Sequence, residues 1–183
     1  INTTENIVKG QALVVKTLVV FTPLLLLLLP RTQRMKPLIK ARTDDELSFS
    51  AEVCVKAAKQ ALKDANLNAA DIDCVIVSAA NLQRAYPAVA IEVQNESGIE
   101  GFAYDMMVGC SASTFGISNA YADIKAGKSS KILVISPEIT SGHNNFKNRD
   151  GHFIFGDVCT AVVIEKAAKA ENKFKIIDTK LKT

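Results

Sequence analysis

The sequence predicts a layered α/β/α domain built on a mixed, largely parallel sheet, and three observations carry that prediction. Short runs dominated by β-branched residues recur along the chain, as in Ile72-Asp-Cys-Val-Ile-Val-Ser78, Lys131-Ile-Leu-Val-Ile-Ser136 and Thr160-Ala-Val-Val-Ile-Glu165. Runs of that kind suit strands covered on both faces. Between them lie helical stretches of roughly 10–20 residues, and strands alternating with helices make a layered α/β domain. With 48% hydrophobic residues in 183, the chain has enough apolar material for one sizeable core.

The beginning of the chain does not match the rest. Thr17 to Leu29 form an uncharged run of 13 residues, with Pro23 inside it and Arg31, Arg34 and Lys36 after it. A membrane span needs about 20 apolar residues, and an internal proline interrupts a spanning helix. A signal peptide fits the length better, yet the basic cluster lies on the wrong side and no small-x-small cleavage site follows. Membrane attachment is therefore not expected, with an anchor or signal kept as the alternative. Residues 1–32 are expected to be foreign to the fold, and residues 33–183 to form the domain. An opening Ile and six consecutive leucines, Leu24 to Leu29, read as a fragment with a reading-frame error near its start.

From Thr43 the pattern is regular. Thr43-Asp-Asp-Glu46 has the form of a capping box, and Leu47, Ala51, Cys54, Ala58, Leu62 and Ala65 recur three or four apart, which predicts a helix over 44–66. A strand over 72–78 follows. Pro87 in a first turn and Gly98 just past Ser97 bound a second helix. Gly101 to Val108 is the next strand, and after it come only small residues, Gly109-Cys-Ser-Ala-Ser-Thr114. A third helix then runs through Ile117, Ala120, Tyr121 and Ile124 to Gly127. Strands over 131–136 and 160–165 are separated by a polar loop, and Phe174 to Leu181 alternates enough for a last strand.

Charge and cysteine usage narrow the function. The 22 Lys and Arg against 19 Asp and Glu leave +3, spread along the chain, so nucleic acid is not an expected partner. Cys54, Cys74, Cys110 and Cys159 contain no C-x-x-C pair and no neighbouring histidine cluster, so neither zinc nor any other metal is expected. Free thiols in a reducing, cytoplasmic compartment are the simpler reading.

One cysteine stands apart. Cys110 falls where a buried strand turns into a helix, so backbone N–H groups and the positive end of the helix dipole would stabilise a thiolate there. Its small neighbours leave room for a substrate, and the same N–H groups could hold an oxyanion formed on attack at an acyl carbonyl. The competing reading is a small buried residue in a tight turn, and on the turn alone the two stay open. Cys54, Cys74 and Cys159 are expected to be core thiols.

Three segments together resemble the N-terminal half of β-ketoacyl-acyl carrier protein synthase III and its close relatives. They are Tyr104-Asp-Met-Met-Val-Gly-Cys110-Ser-Ala-Ser-Thr-Phe-Gly116, Ser136-Pro-Glu-Ile-Thr-Ser141, and Asn148-Arg-Asp-Gly-His-Phe-Ile-Phe-Gly156-Asp157-Val-Cys-Thr-Ala-Val-Val163. The resemblance runs from about Gln33 onward, and the cysteine turn followed about 45 residues later by Phe155-Gly156-Asp157 is its most specific part. It implies a thiolase fold of two similar halves, a homodimer, and acyl transfer from acyl-coenzyme A to Cys110. Decarboxylative condensation with malonyl-acyl carrier protein would follow, with no further cofactor.

The resemblance also implies that the His and Asn completing the site come from the second half. His143 and His152 do not match that histidine and read as loop residues. Arg149 aligns with a position that helps bind coenzyme A in some relatives, although the tryptophan that cooperates there has no counterpart, because the sequence has no Trp. Gln83-Arg-Ala-Tyr86-Pro87 resembles a segment that crosses the dimer interface, and Gly156-Asp157 one that shapes a loop beneath the site. Alternatives within the fold are a hydroxymethylglutaryl-coenzyme A synthase or a polyketide-type synthase. Outside enzymology, the alternative is a non-catalytic or membrane-associated half-domain.

Overall fold

The structure, a computed structural model, describes residues 13–21, 42–43, 45–80, 82, 84–140, 142–145, 147–148, 150, 156–166 and 174–182. In chain order the elements are β1 (Leu13–Phe21), α1 (Phe49–Asp64), β2 (Cys74–Ala79), α2 (Val89–Ser97), β3 (Phe102–Met107), α3 (Ala112–Lys125), β4 (Lys131–Glu138), β5 (Val158–Lys166) and β6 (Phe174–Ile176). The strands form one sheet in the order β3-β2-β4-β5-β1-β6. β2 pairs parallel with β3 and with β4, whereas β5 pairs antiparallel with β4 and with β1, and β1 antiparallel with β6. Four of the six strands, β3, β2, β4 and β1, therefore run the same way.

The chain moves outward from β2 to β3 and then back past β2 to β4, so right-handed crossovers put α2 and α3 on opposite faces of the sheet. Packing agrees with that. Val75 and Val77 of β2 and Leu133 and Ile135 of β4 pack with α1 and α2, through Cys54, Ala58, Val89 and Val93 among others. Their neighbours in sequence, Cys74, Ile76, Ile132 and Val134, face the other way onto Ala120 and Ile124 of α3. The period-2 alternation of a strand thus feeds two cores at once, which is why β2 is buried at every position.

Several expectations shift at their edges. α1 begins at Phe49, capped by Ser48, whose Oγ accepts the Ala51 N–H at 3.1 Å. Ser48 also donates its own N–H and O–H to the Glu92 carboxylate (2.9 and 2.7 Å), tying α1 to α2. The Thr43–Glu46 motif makes its contacts as a turn instead: the Thr43 N–H donates to Glu46 Oε2 at 2.9 Å and the Glu46 N–H to the Thr43 carbonyl at 3.2 Å. β6 stops at Ile176, short of Leu181, and Ile177 beyond it is exposed. Gly98 closes α2 in the left-handed region, φ 66°, as its position predicts.

Part of the segment that the sequence reading sets apart, residues 1–32, is described in the structure. Leu13–Phe21, assigned from sequence to a foreign segment, form a strand inside the sheet, in register with β5 from Leu13 opposite Lys166 to Phe21 opposite Cys159. Val14, Val15, Thr17, Val19 and Val20 are the β-branched residues such a strand favours. Read as the flank of a leucine run, they were not separated from it. The other residues of that segment, the leucine run included, lie outside the described residues.

Candidate active site

The parallel strands β2, β3 and β4 all end on the same side, and at that side lies an open cavity of about 630 Å³. Ser78 of β2 and Ala80 just beyond it form part of the cavity wall, with Gly109 and Cys110 of the turn after β3, Ser113 of α3, Ser136 and Glu138 of β4, and Thr140 just after β4. Val158 and Thr160 of β5 face it from the antiparallel side. Because the chain crosses from β2 out to β3 and then from β3 back past β2 to β4, the carboxyl ends of β2 and β4 flank a switch point, where open α/β sheets place their ligand crevices.

Cys110 is held there by a short chain of steric requirements. Gly109 has φ 62°, a left-handed conformation that costs other residues energy, and it turns the chain out of β3. Gly109–Ser111 make one 3₁₀ turn, and Ala112 opens α3. Ser78 Oγ donates to the Ala112 carbonyl at 2.7 Å, pinning the start of α3 to the end of β2. Gly116 permits that approach: a Cβ there would lie 2.8 Å from Val134 Cγ1 and 3.2 Å from Ser78 Cβ. The outcome is a free, exposed thiol at the N-terminal end of a helix.

The other cysteines contrast with it. Cys54 and Cys159 are buried against each other, Sγ to Sγ 3.9 Å, and burial, with Cys159 beside it, pushes the Cys54 thiol well up. Burial likewise pushes Cys74 up to about 12. All three are core thiols, as expected.

The strand that leads to Cys110 also organises α2. The Asp105 carboxylate accepts the Val89 N–H on Oδ2 and the Ala90 N–H on Oδ1, each at 2.8 Å, capping α2 from β3. Burial raises Asp105 above the ordinary carboxylate range, and those two hydrogen bonds oppose the rise.

Several residues of this cavity carried no site role in the sequence reading, His143 and Asn144 among them. His143, read as a loop residue, does sit in the turn after β4, but it lines the same cavity as Cys110, as does its neighbour Asn144. The signal for them was positional: both follow closely on the carboxyl end of a parallel strand. Arg149, His152 and Gln83 lie outside the described residues. Gly156 accepts a hydrogen bond from Thr140 Oγ1 at 3.1 Å, joining the loop after β4 to the start of β5.

With this geometry in hand, the comparisons with known proteins decide the family. The family model described as 3-Oxoacyl-[acyl-carrier-protein (ACP)] synthase III matches residues 104–183, starting on the strand that leads to Cys110. The chain belongs with the synthase III-like condensing enzymes. It is 52% identical over 153 residues to a beta-ketodecanoyl-[acyl-carrier-protein] synthase of Pseudomonas aeruginosa, covering 82% of this chain and 44% of that one. It is 39% identical over 137 residues to the beta-ketoacyl-[acyl-carrier-protein] synthase III of Paracoccus denitrificans, 70% of this chain and 42% of that one. The synthase III-like chain thus spans less than half the length of these curated relatives. A solved 3-oxoacyl-[acyl-carrier-protein] synthase III from Aquifex aeolicus superposes with a TM-score of 0.63 at 27% identity, over 90% of this chain and 54% of that one. The thiolase-like α/β architecture predicted from sequence is the architecture shared with it.

Proposed function

We propose that Cys110 is the acyl-accepting nucleophile of a condensing enzyme of fatty acid biosynthesis. The observation that carries this reading is the exposed thiol at the N-terminal end of α3, opening into the cavity at the strand ends while the other three cysteines are buried. The Cys110 thiolate attacks the acyl-coenzyme A carbonyl carbon, the coenzyme A thiolate leaves and takes up a proton, and the acyl group rests on Sγ. Malonyl-acyl carrier protein then loses carbon dioxide. The resulting enolate attacks the acyl-cysteine carbonyl, freeing the thiolate and giving β-ketoacyl-acyl carrier protein.

The second step needs groups that stabilise an enolate, which the resemblance assigns to a His and an Asn of the second half. Accordingly the 183-residue chain alone takes acyl label on Cys110 but forms no β-ketoacyl product. Acyl-coenzyme A and acyl carrier protein are its partners in this reading, Arg149 belongs to the coenzyme A site, and the compartment is the cytoplasm. A homodimer is part of the same proposal. It is supported by β3, one of the two edge strands of the described sheet, with Phe102 and Met107 exposed along it and Tyr86 89% exposed nearby.

The test is incubation of the full chain with labelled octanoyl-coenzyme A, followed by mass analysis of the tryptic peptides. One acyl group on Cys110 is expected, and none on the Cys110→Ala chain. Acylation of Cys110→Ala at the wild-type rate would end the reading.

A further inference from the structure

Two of the buried thiols touch. Cys54 of α1 and Cys159 of β5 stand 105 positions apart in the chain, yet their sulfurs lie 3.9 Å apart in the core between the helix and the sheet. A disulfide bond is about 2.05 Å long, so about 2 Å of sulfur movement separates this contact from a bond. The other two thiols are kept away from it. Cys74 packs with α3 on the opposite face of the sheet, and Cys110 is exposed at the turn after β3. The fold therefore selects one pairing among the four cysteines.

We propose that Cys54 and Cys159 form a reversible oxidation site, at which a low-molecular-weight disulfide such as oxidised glutathione converts the two thiols into a cross-link between α1 and β5. In the first exchange the Cys54 thiolate attacks one sulfur of the oxidant and expels one glutathione thiolate. In the second, the Cys159 thiolate attacks Cys54 Sγ and expels the other. Two electrons and two protons pass from the cysteines to the oxidant, which leaves as two molecules of reduced glutathione. A thiol reductant runs the same steps backward.

Neither sulfur is open to solvent in the closed fold, with Cys54 0% and Cys159 1% exposed, so the exchange belongs to the folding chain or to moments when α1 lifts from the sheet, and the bond closes as the helix docks. The loop it closes is long, and a long closed loop constrains the unfolded chain strongly. By linkage, the factor by which the bond favours the fold is the factor by which the fold favours the bond. Val158 and Thr160, on either side of Cys159, line the cavity at the strand ends, so the cross-link braces the strand that forms that wall. None of this depends on the role given to Cys110.

The test is made at equilibrium, where access to the buried sulfurs no longer matters. The full chain is unfolded in urea and then either held there or refolded by dilution, in both cases across a range of reduced-to-oxidised glutathione ratios. After an acid quench, mass analysis of the linked peptides gives the fraction carrying a Cys54–Cys159 bond. The closing constant should be at least about a hundredfold larger in the refolded chain than in urea. Equal constants in the two states overturn the proposal, as does comparable pairing of either cysteine with Cys74 or Cys110. The oxidised chain should also unfold at higher urea than the reduced chain, a difference that persists in Cys74→Ala and vanishes in Cys159→Ala. A difference that survives in Cys159→Ala refutes the assignment. Because the closing constants are read on the unmutated chain, the proposal can fail even if neither variant folds.

Discussion

Two regions of this molecule hold cysteine in opposite ways. At the α1–β5 contact, Cys54 and Cys159 face each other at 3.9 Å inside the core, and burial raises the Cys54 thiol well above its ordinary value. At the β3–α3 turn, Cys110 is exposed, with small residues around it and a helix beginning at its feet. The same side chain is packing material in one place and a candidate nucleophile in the other. What differs is the backbone: α1 and β5 seal their sulfurs between layers, while Gly109 and Gly116 bring the third helix up to the sheet so that the turn lies on the open side. Reactivity here is a property of the turn and its two glycines as much as of the sulfur.

The sharpest way to break this contrast is chemical. A thiol raised from 9.0 to about 12, as Cys74 is, forms on the order of a thousandfold less thiolate near neutral pH, before access is counted. Iodoacetamide should therefore alkylate Cys110 at least about a hundredfold faster than the other three in the native chain, with all four reacting in denaturant. Peptide mapping after a timed quench reads this directly. Stoichiometric native labelling of Cys54, Cys74 or Cys159 would dissolve the distinction.

A second comparison sharpens the role of the glycines. Gly116→Ala puts a methyl group 2.8 Å from Val134 Cγ1 in a packed layer, which should cost about 1–3 kcal/mol of stability and loosen the Ser78–Ala112 contact. At Gly109 a Cβ meets nothing within 4 Å, so Gly109→Ala costs only the left-handed strain, about 1 kcal/mol. Urea midpoints of the two variants should fall in that order. A larger loss at Gly109 would mean that the turn conformation, not the close approach of α3, holds the site together.

Most of this architecture was legible in the residues. β2, β4 and β5 announced themselves because β-branched runs buried on both faces look alike wherever they occur, and the strand-turn-helix around Cys110 because six small residues in a row fit little else. The start of α1 was misplaced because Thr43 and Glu46 do hydrogen-bond as a capping pair, but around a turn, while the true cap, Ser48, is distinguished by its tertiary contact to Glu92. β1 was lost because pairing with β5 is a long-range fact, and its neighbouring leucines dominated the local composition. The cavity lining divided along the same line. Cys110 carried a local signature, whereas Asn144 and His143 matter only because the end of β4 brings them beside it.

The smallest effect concerns Asp105, which lies between the two regions. It stands on the strand leading to Cys110, caps α2, and its charge is among the lesser influences raising Cys54. Burial raises its carboxyl in the fold, so the folded state holds the proton more tightly than the unfolded chain does. Its stabilising contribution is therefore full below the ordinary value of 3.8 and declines as pH rises through the elevated folded value. Asparagine cannot titrate, so the stability gap between wild type and Asp105→Asn, read from urea midpoints, should be wider at pH 4 than at pH 7. Because the carboxylate is only partly buried, solvent screens much of the change and the difference stays small. A gap that widens toward pH 7 would mean that the two N–H bonds from Val89 and Ala90 outweigh burial and hold the ionised form. Cys54 should stay unreactive in Asp105→Asn at either pH, because burial, and not this charge, is the first cause of its shift.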